Sequence, residues 1–173
     1  LAEIDHSLSY HTGKIQEAKK DLACFEQRVE RDAEGNPVNR LSIKGVEDCS
    51  DIKVIAHRLQ EIEEKARTNG EYNKIGELYG FSVMVKTESS SQNLFDLSVN
   101  RFFVKGEGSI YYTYNNGKLA NDPKLACLNF FNALERIPKV IESHEKEIAK
   151  VSANKEVYTA IANSSWKKEE NLR

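Results

Sequence analysis

Long apolar runs are missing from this sequence. No stretch approaches the ~18 consecutive apolar residues of a membrane-spanning helix, so the chain offers no candidate for one. Cysteine is scarce as well. Cys24, Cys49 and Cys127 are scattered, odd in number and without CxxC or Cys/His ligand spacing. That argues against a disulfide framework or a zinc site, and the expectation is free thiols in a reducing cytoplasm. With three prolines and nine glycines the chain is not a low-complexity linker. An excess of positive charge is also lacking: 25 Lys and Arg stand against 27 Asp and Glu, for a net charge of −2. The strongly basic footprint of a nonspecific nucleic-acid binder is therefore absent, which leaves room only for a local basic patch.

Catalytic signatures are missing too. "KGEGS" (105–109) holds a Gly-x-Gly with no third glycine and no helix after it, so it reads as a hairpin turn rather than a phosphate loop. Nucleophile elbow, Walker loop, His-Glu-x-x-His motif and a carboxylate pair of distinctive spacing are all wanting. The expectation is a fragment without enzymatic activity, cofactor or metal of its own. It starts at Leu1 rather than Met and stops inside the helical pattern "SSWKKEENLR", so it reads as part of something longer.

What is present is periodicity. Ile4, Leu8, His11, Ile15, Ala18, Leu22, Phe25 and Val29 recur at alternating spacings of four and three, a heptad seam. Gly35 and Pro37 in "EGNPV" are expected to end that helix. "NRLSIKG" (39–45) reads as a brief strand. A helix follows with Ile52, Ile55, Leu59, Ile62 and Ala66 inward, capped by Asp48 or Ser50 and closed at Asn69-Gly70. Over residues 74–114 the period drops to two. Phe81, Val83 and Val85, then Phe95, Leu97 and Val99, then Ile110, Tyr112 and Tyr114 are expected to face inward on antiparallel strands joined by "ESSSQN" and "KGEG". On that parity Arg101 would point inward, so a bulge or strand end is expected there.

Asp122 and Pro123 open a last helical region in which Leu125, Leu128, Phe131 and Leu134 are expected to pack on the sheet. The stripe then passes Pro138 and continues through Ile141, His144, Ile148, Val151 and Tyr158 to Ala162, with a kink expected at the proline. Residues 4–29 and 138–162 would span about 39 and 36 Å as helices. Matching lengths suggest an antiparallel two-helix coiled-coil arm, with Val29 near Leu134 and Ile4 near Ala162. In that register the seam histidines His11 and His144 would lie several turns apart, too far to share a metal.

Aromatics in "NRFFVKG" and "SIYYTY" lie beside cations. Arg101, Lys105 and Tyr111 are the candidate nucleic-acid-binding residues, because strand-borne aromatics flanked by cations can stack exposed bases. Core and edge packing is the competing reading of the same residues.

Two further stretches are "IGELYGF" (Ile75, Gly76, Gly80, Phe81), followed by a strand, and "NALERIP" (Asn132, Ala133, Leu134, Ile137, Pro138), followed by a long charged helix. Over about residues 39–173 the combination resembles the C-terminal region of large bacterial polypeptides from mobile elements and phages. These antirestriction-type proteins fuse a Swi/Snf-type helicase to an adenine-specific DNA methyltransferase. The sequence departs from that pattern before "NAL", where "LACLNFF" replaces a more polar run. The resemblance implies a bacterial, cytoplasmic accessory or scaffold module that positions DNA or neighbouring domains. Its partners would be those domains, with DNA as a further candidate, and no catalytic residue carries over. Direct nucleic-acid binding, and self-association through the heptads, are the alternative functions.

The expected fold is α+β, a small antiparallel sheet of three to five strands packed by helices and carrying the coiled-coil arm. The division expected is 1–33 for the first coiled-coil helix, 39–137 for the globular body, and 138–173 for the second coiled-coil helix and the start of a following helix.

Overall fold

A computed structural model describes residues 1–48, 50–90 and 97–171. Cys49, Phe95 and the "SQN" of the expected turn lie outside the described residues. The described elements run α1 (Ala2–Arg28), β1 (Ser42–Ile43), α2 (Ile52–Lys65), β2 (Tyr72–Leu78), β3 (Phe81–Ser90), β4 (Leu97–Lys105), β5 (Tyr111–Tyr112), α3 (Pro123–Glu135) and α4 (Ile137–Asn171). No helix among the described residues is long and apolar enough to cross a membrane. The fold is α+β and divides into two compact units, Leu1–Lys19 with Pro138–Arg173, and Lys20–Ile137.

In the unit Lys20–Ile137, five antiparallel strands lie in chain order, β1 through β5. Period-two alternation gives the sheet one apolar face. Phe81, Val83, Val85, Phe102, Val104 and Tyr112 are buried there, with Ile55, Leu59 and Ile62 of α2 and Phe130, Phe131 and Leu134 of α3. The helices pack on each other and both reach β4. Leu125, expected on the sheet, is instead exposed. The cap of α2 is Asp51, whose carboxylate accepts from the Val54 N–H at 3.3 Å, while Asp48 holds Ser50 instead.

The strand parity of β4 is the opposite of the one expected. Asn100 is 5% exposed and Val99 43%. The β3–β4 register runs unbroken from Ser82↔Lys105 to Ser90↔Leu97, so there is no bulge at Arg101, which lies on the outer face. Asn100 faces inward because its side-chain amide donates to the carbonyls of Glu63 at 2.7 Å and Ala66 at 2.9 Å, satisfying the open end of α2. The sheet's irregularity falls in β2, between Lys74 and Gly76.

The glycines of "IGELYGF" have separate duties. Gly76 lets β1 approach β2, and Gly80 (φ +82°) with Tyr79 (φ +49°) forms the two-residue β2–β3 hairpin, whose primed turn needs positive φ at both positions. Phe81 follows in the core. The helix α1 ends at Arg28, earlier than expected. Gly35 (φ +86°) turns a loop bridged by Arg31 and Pro37 rather than capping the helix. Within this unit, the last turns of α1 contribute Phe25, 5.4 Å from the Phe131 ring, and buried Asp21, which accepts from the Tyr112 hydroxyl at 2.7 Å.

The other unit pairs Leu1–Lys19 antiparallel with α4. His11 and His144 meet ring to ring, and Asp5 meets Lys155. Ile4, Leu8, Ile15, Ile148 and Val151 are half-buried, while Ala18 and Ile141 are buried. The expected register is therefore corrected: Asp5 faces Lys155 rather than a residue near Ala162. Tyr158 and Ala162, expected in the seam, are exposed, as are Val157 and Ile161. Nor does Pro138 kink a continuous helix. Arg136 (φ −89°, ψ −2°) ends α3, and Pro138 stands in the first turn of α4, where an N–H is not needed.

Candidate nucleic-acid interface

Alternation that buries one face of the sheet turns Tyr72, Lys74, Met84, Lys86, Arg101, Phe103, Lys105 and Tyr111 to the other. The rings gather there. Tyr72 and Tyr111 stack with centroids 3.6 Å apart and planes 14° from parallel, although β3 and β4 lie between their strands. Phe103 meets both edge-on, at 5.1 Å and 6.3 Å. The two outward ring faces of the stack each carry an ammonium, Lys86 4.9 Å from the Tyr72 centroid and Lys105 5.6 Å from that of Tyr111.

Charge on this face is mostly positive. Its outer strand positions hold Lys74, Lys86, Arg101 and Lys105 against Glu77 and Glu88. Lys74 pairs with Glu77 at 2.7 Å and holds that carboxyl below its ordinary pKa by hydrogen bond and charge. Arg101 is engaged by Glu88 at 2.8 Å and by the Asn116 carbonyl at 2.6 Å. Lys86 and Lys105 are in no ion pair among the described residues. Each lies over a ring face, a contact worth ~0.5–1 kcal/mol at exposed sites. A base stacking on the same ring is worth ~1–3 kcal/mol. On these magnitudes a base offered to either ring would displace the ammonium.

A polar groove of about 680 Å³ adjoins Lys86 and is lined by Arg67, Asn69, Thr87, Glu88, Ser89 and Ser98 among others, with the Glu88 carboxylate beside the two cations. Of the residues predicted from sequence, Arg101, Lys105 and Tyr111 share this face. Arg101 braces the 116 loop, whereas Tyr111 and Lys105 present a ring and a charge. Sequence reading missed Tyr72, Lys86 and Phe103. Tyr72 enters only through strand pairing, which brings the start of β2 to the aromatics of β4 and β5. Gly76, Gly80, Phe81 and Leu134 are in turns or core, Asn132 is half-buried on α3, and Pro138 belongs to the helix pair.

Two other places bring polar or reactive side chains together. His11 Nδ1 and His144 Nδ1 lie 2.8 Å apart, so the sequence-based separation of several turns is overturned. Burial, with His11 and Lys14 nearby, lowers the pKa of His144, against a smaller opposing pull from Glu147. No third His, Cys, Asp or Glu joins them in a metal-sized cluster among the described residues. An apolar pocket of about 90 Å³ is lined by Val38, Ile52, Leu78, Cys127, Leu128 and Phe131. Burial pushes the Cys127 thiol up to about 11, which keeps it protonated and unreactive.

A family model described as Domain of unknown function (DUF8438) matches residues 26–134, which include the whole sheet and both helices packed on it. No curated protein and no solved structure matches the chain.

Proposed function

The chain belongs to the DUF8438 family, and for it we propose the role of a non-catalytic accessory module that contacts nucleic acid through the outer face of its sheet. The observation that carries this reading is the stack Lys86–Tyr72–Tyr111–Lys105, a run of rings and unpaired cations in a chain whose net charge is −2. The wider setting, a helicase and adenine-specific DNA methyltransferase polypeptide in which the module positions DNA for neighbouring domains, rests on the resemblance of "IGELYGF" and "NALERIP".

Binding of labelled DNA, followed by anisotropy across a salt series, tests the reading. With Lys86 and Lys105 as phosphate ligands, the expected slope of log K against log salt for a single strand is about −1.4, at roughly 0.7 per phosphate. A dissociation constant below about 10 µM is expected at 0.15 M salt, inside the usual nonspecific range. Absence of binding to single strand and duplex alike, even at low salt, overturns the proposal.

A further inference from the structure

We infer that the occupant of this face is single-stranded rather than duplex nucleic acid, with a base stacked on Tyr72 or Tyr111 in the place of a lysine ammonium. This rests on the nucleic-acid reading above and narrows its substrate class.

Three observations carry it. First, the rings are useful only to a base whose face is free, and in a duplex every base face is already stacked on its neighbours. Second, duplex binding draws its affinity from many neutralised phosphates. Of the four cations at outer positions of this sheet, Lys74 and Arg101 already hold Glu77 and Glu88, leaving two. Third, those two stand at opposite ends of one stack, so a strand that extends the stack finds an ammonium at the point where its backbone turns away. Phe103 packs edge-on against both tyrosines. Stacking on a ring accepts any base, since every base has a π-face, so the binding is tolerant of sequence.

The test uses the full chain with a labelled twelve-nucleotide thymidylate strand, the corresponding duplex, and polyglutamate as a polyanion without bases. The single strand is expected to bind at least tenfold more tightly than either competitor. Tyr72→Leu and Tyr111→Leu are each expected to weaken it about tenfold or more, in the range for loss of one stacked base. Tyr111→Phe keeps a ring and retains binding. Lys86→Gln and Lys105→Gln each reduce the magnitude of the salt slope by about 0.7. Photocrosslinking of the unsubstituted chain to a 5-iodouridine strand, mapped to Tyr72 or Tyr111, covers the case in which a leucine variant fails to fold.

Equal binding of strand and duplex with indifferent tyrosines overturns this inference while leaving the nucleic-acid reading intact. Polyglutamate binding as tightly as DNA, or crosslinks confined to other residues, overturns it as well. Failure of every nucleic acid to bind overturns both readings.

Discussion

At Gly76 the backbones of β1 and β2 come so close that a Cβ would stand 2.0 Å from the Ser42 carbonyl oxygen. The closest clash is with the Ser42 backbone, which cannot rotate away as a side chain would. Gly76→Ala is therefore expected to detach β1 or bend β2, at a cost of about 1–3 kcal/mol as for other overpacked sites. Gly13 is the contrast. It lies inside α1 with nothing within 4 Å of a Cβ, so Gly13→Ala is expected to stabilise by up to about 1 kcal/mol. Paired urea melts check both, and a neutral Gly76→Ala removes the close-approach explanation. The resemblance singled out Gly76 and Gly80 as a motif, and their physical content is backbone geometry: one close approach and one primed turn. Neither touches the aromatic face.

Among the elements, β4 shows what pattern reading captures and where it stops. The strand, its partner and the connecting turn were legible from alternation. The face was not, because Val99 looks like a core residue and Asn100 like a surface one. Hydrogen bonding reverses them. Asn100 closes the end of α2 and also accepts from the Thr87 hydroxyl at 2.6 Å, while Thr68 and Thr87 exchange backbone-to-hydroxyl bonds at 2.9 and 2.7 Å. A buried network of this kind has no period, so it leaves no trace in an alternation count. The same inversion hid half of the interface: Arg101 was placed inward, and the outward turn of Phe103 followed only from the true parity. Asn100→Leu has nearly the same volume and suits the hydrophobic pattern. It would nonetheless leave the carbonyls of Glu63 and Ala66 without this donor, and a loss of at least about 2 kcal/mol is expected. Val99→Thr, on the wet face, is expected to change stability by less than about 0.5 kcal/mol. Comparable melts for the two variants would return Asn100 to the surface.

At the scale of the whole chain, the pairing of its two ends was legible because neither heptad stripe can stay dry alone. The register was not. Matching the stripes end to end assumed that all of α1 serves the pair, whereas Lys20–Arg28 belong to the other unit. With those turns removed, His11 meets His144 rather than lying several turns from it, and this gives the pair a dependence on pH. Two neutral rings share one hydrogen bond, one Nδ1–H donating to the other Nδ1. A first proton preserves that bond, and a second destroys it by removing the acceptor. The pKa of His144 is lowered in the folded state, so the unfolded chain binds more protons and stability rises with pH. The contribution is complete above the ordinary histidine range near 6.5 and is lost as pH falls through it towards the lower folded value. The groups facing the rings are Tyr10, Lys14 and Glu147. Of these, Lys14 opposes the added charge and Glu147 partly offsets it. The Asp5–Lys155 pair lowers the Asp5 pKa, so its contribution is lost only as pH falls below the carboxylate range. A comparison between pH 7.5 and 5.5 therefore isolates the histidines. Amide protection, corrected for intrinsic exchange, is expected to fall in residues 1–19 and 138–156 on acidification while β2, β3 and β4 keep theirs. In the double variant His11→Leu, His144→Leu the difference should vanish, since neither ring remains to charge. Equal protection at the two pH values in the unsubstituted chain, or a loss that the double variant shares, would show that the pair owes nothing to this contact.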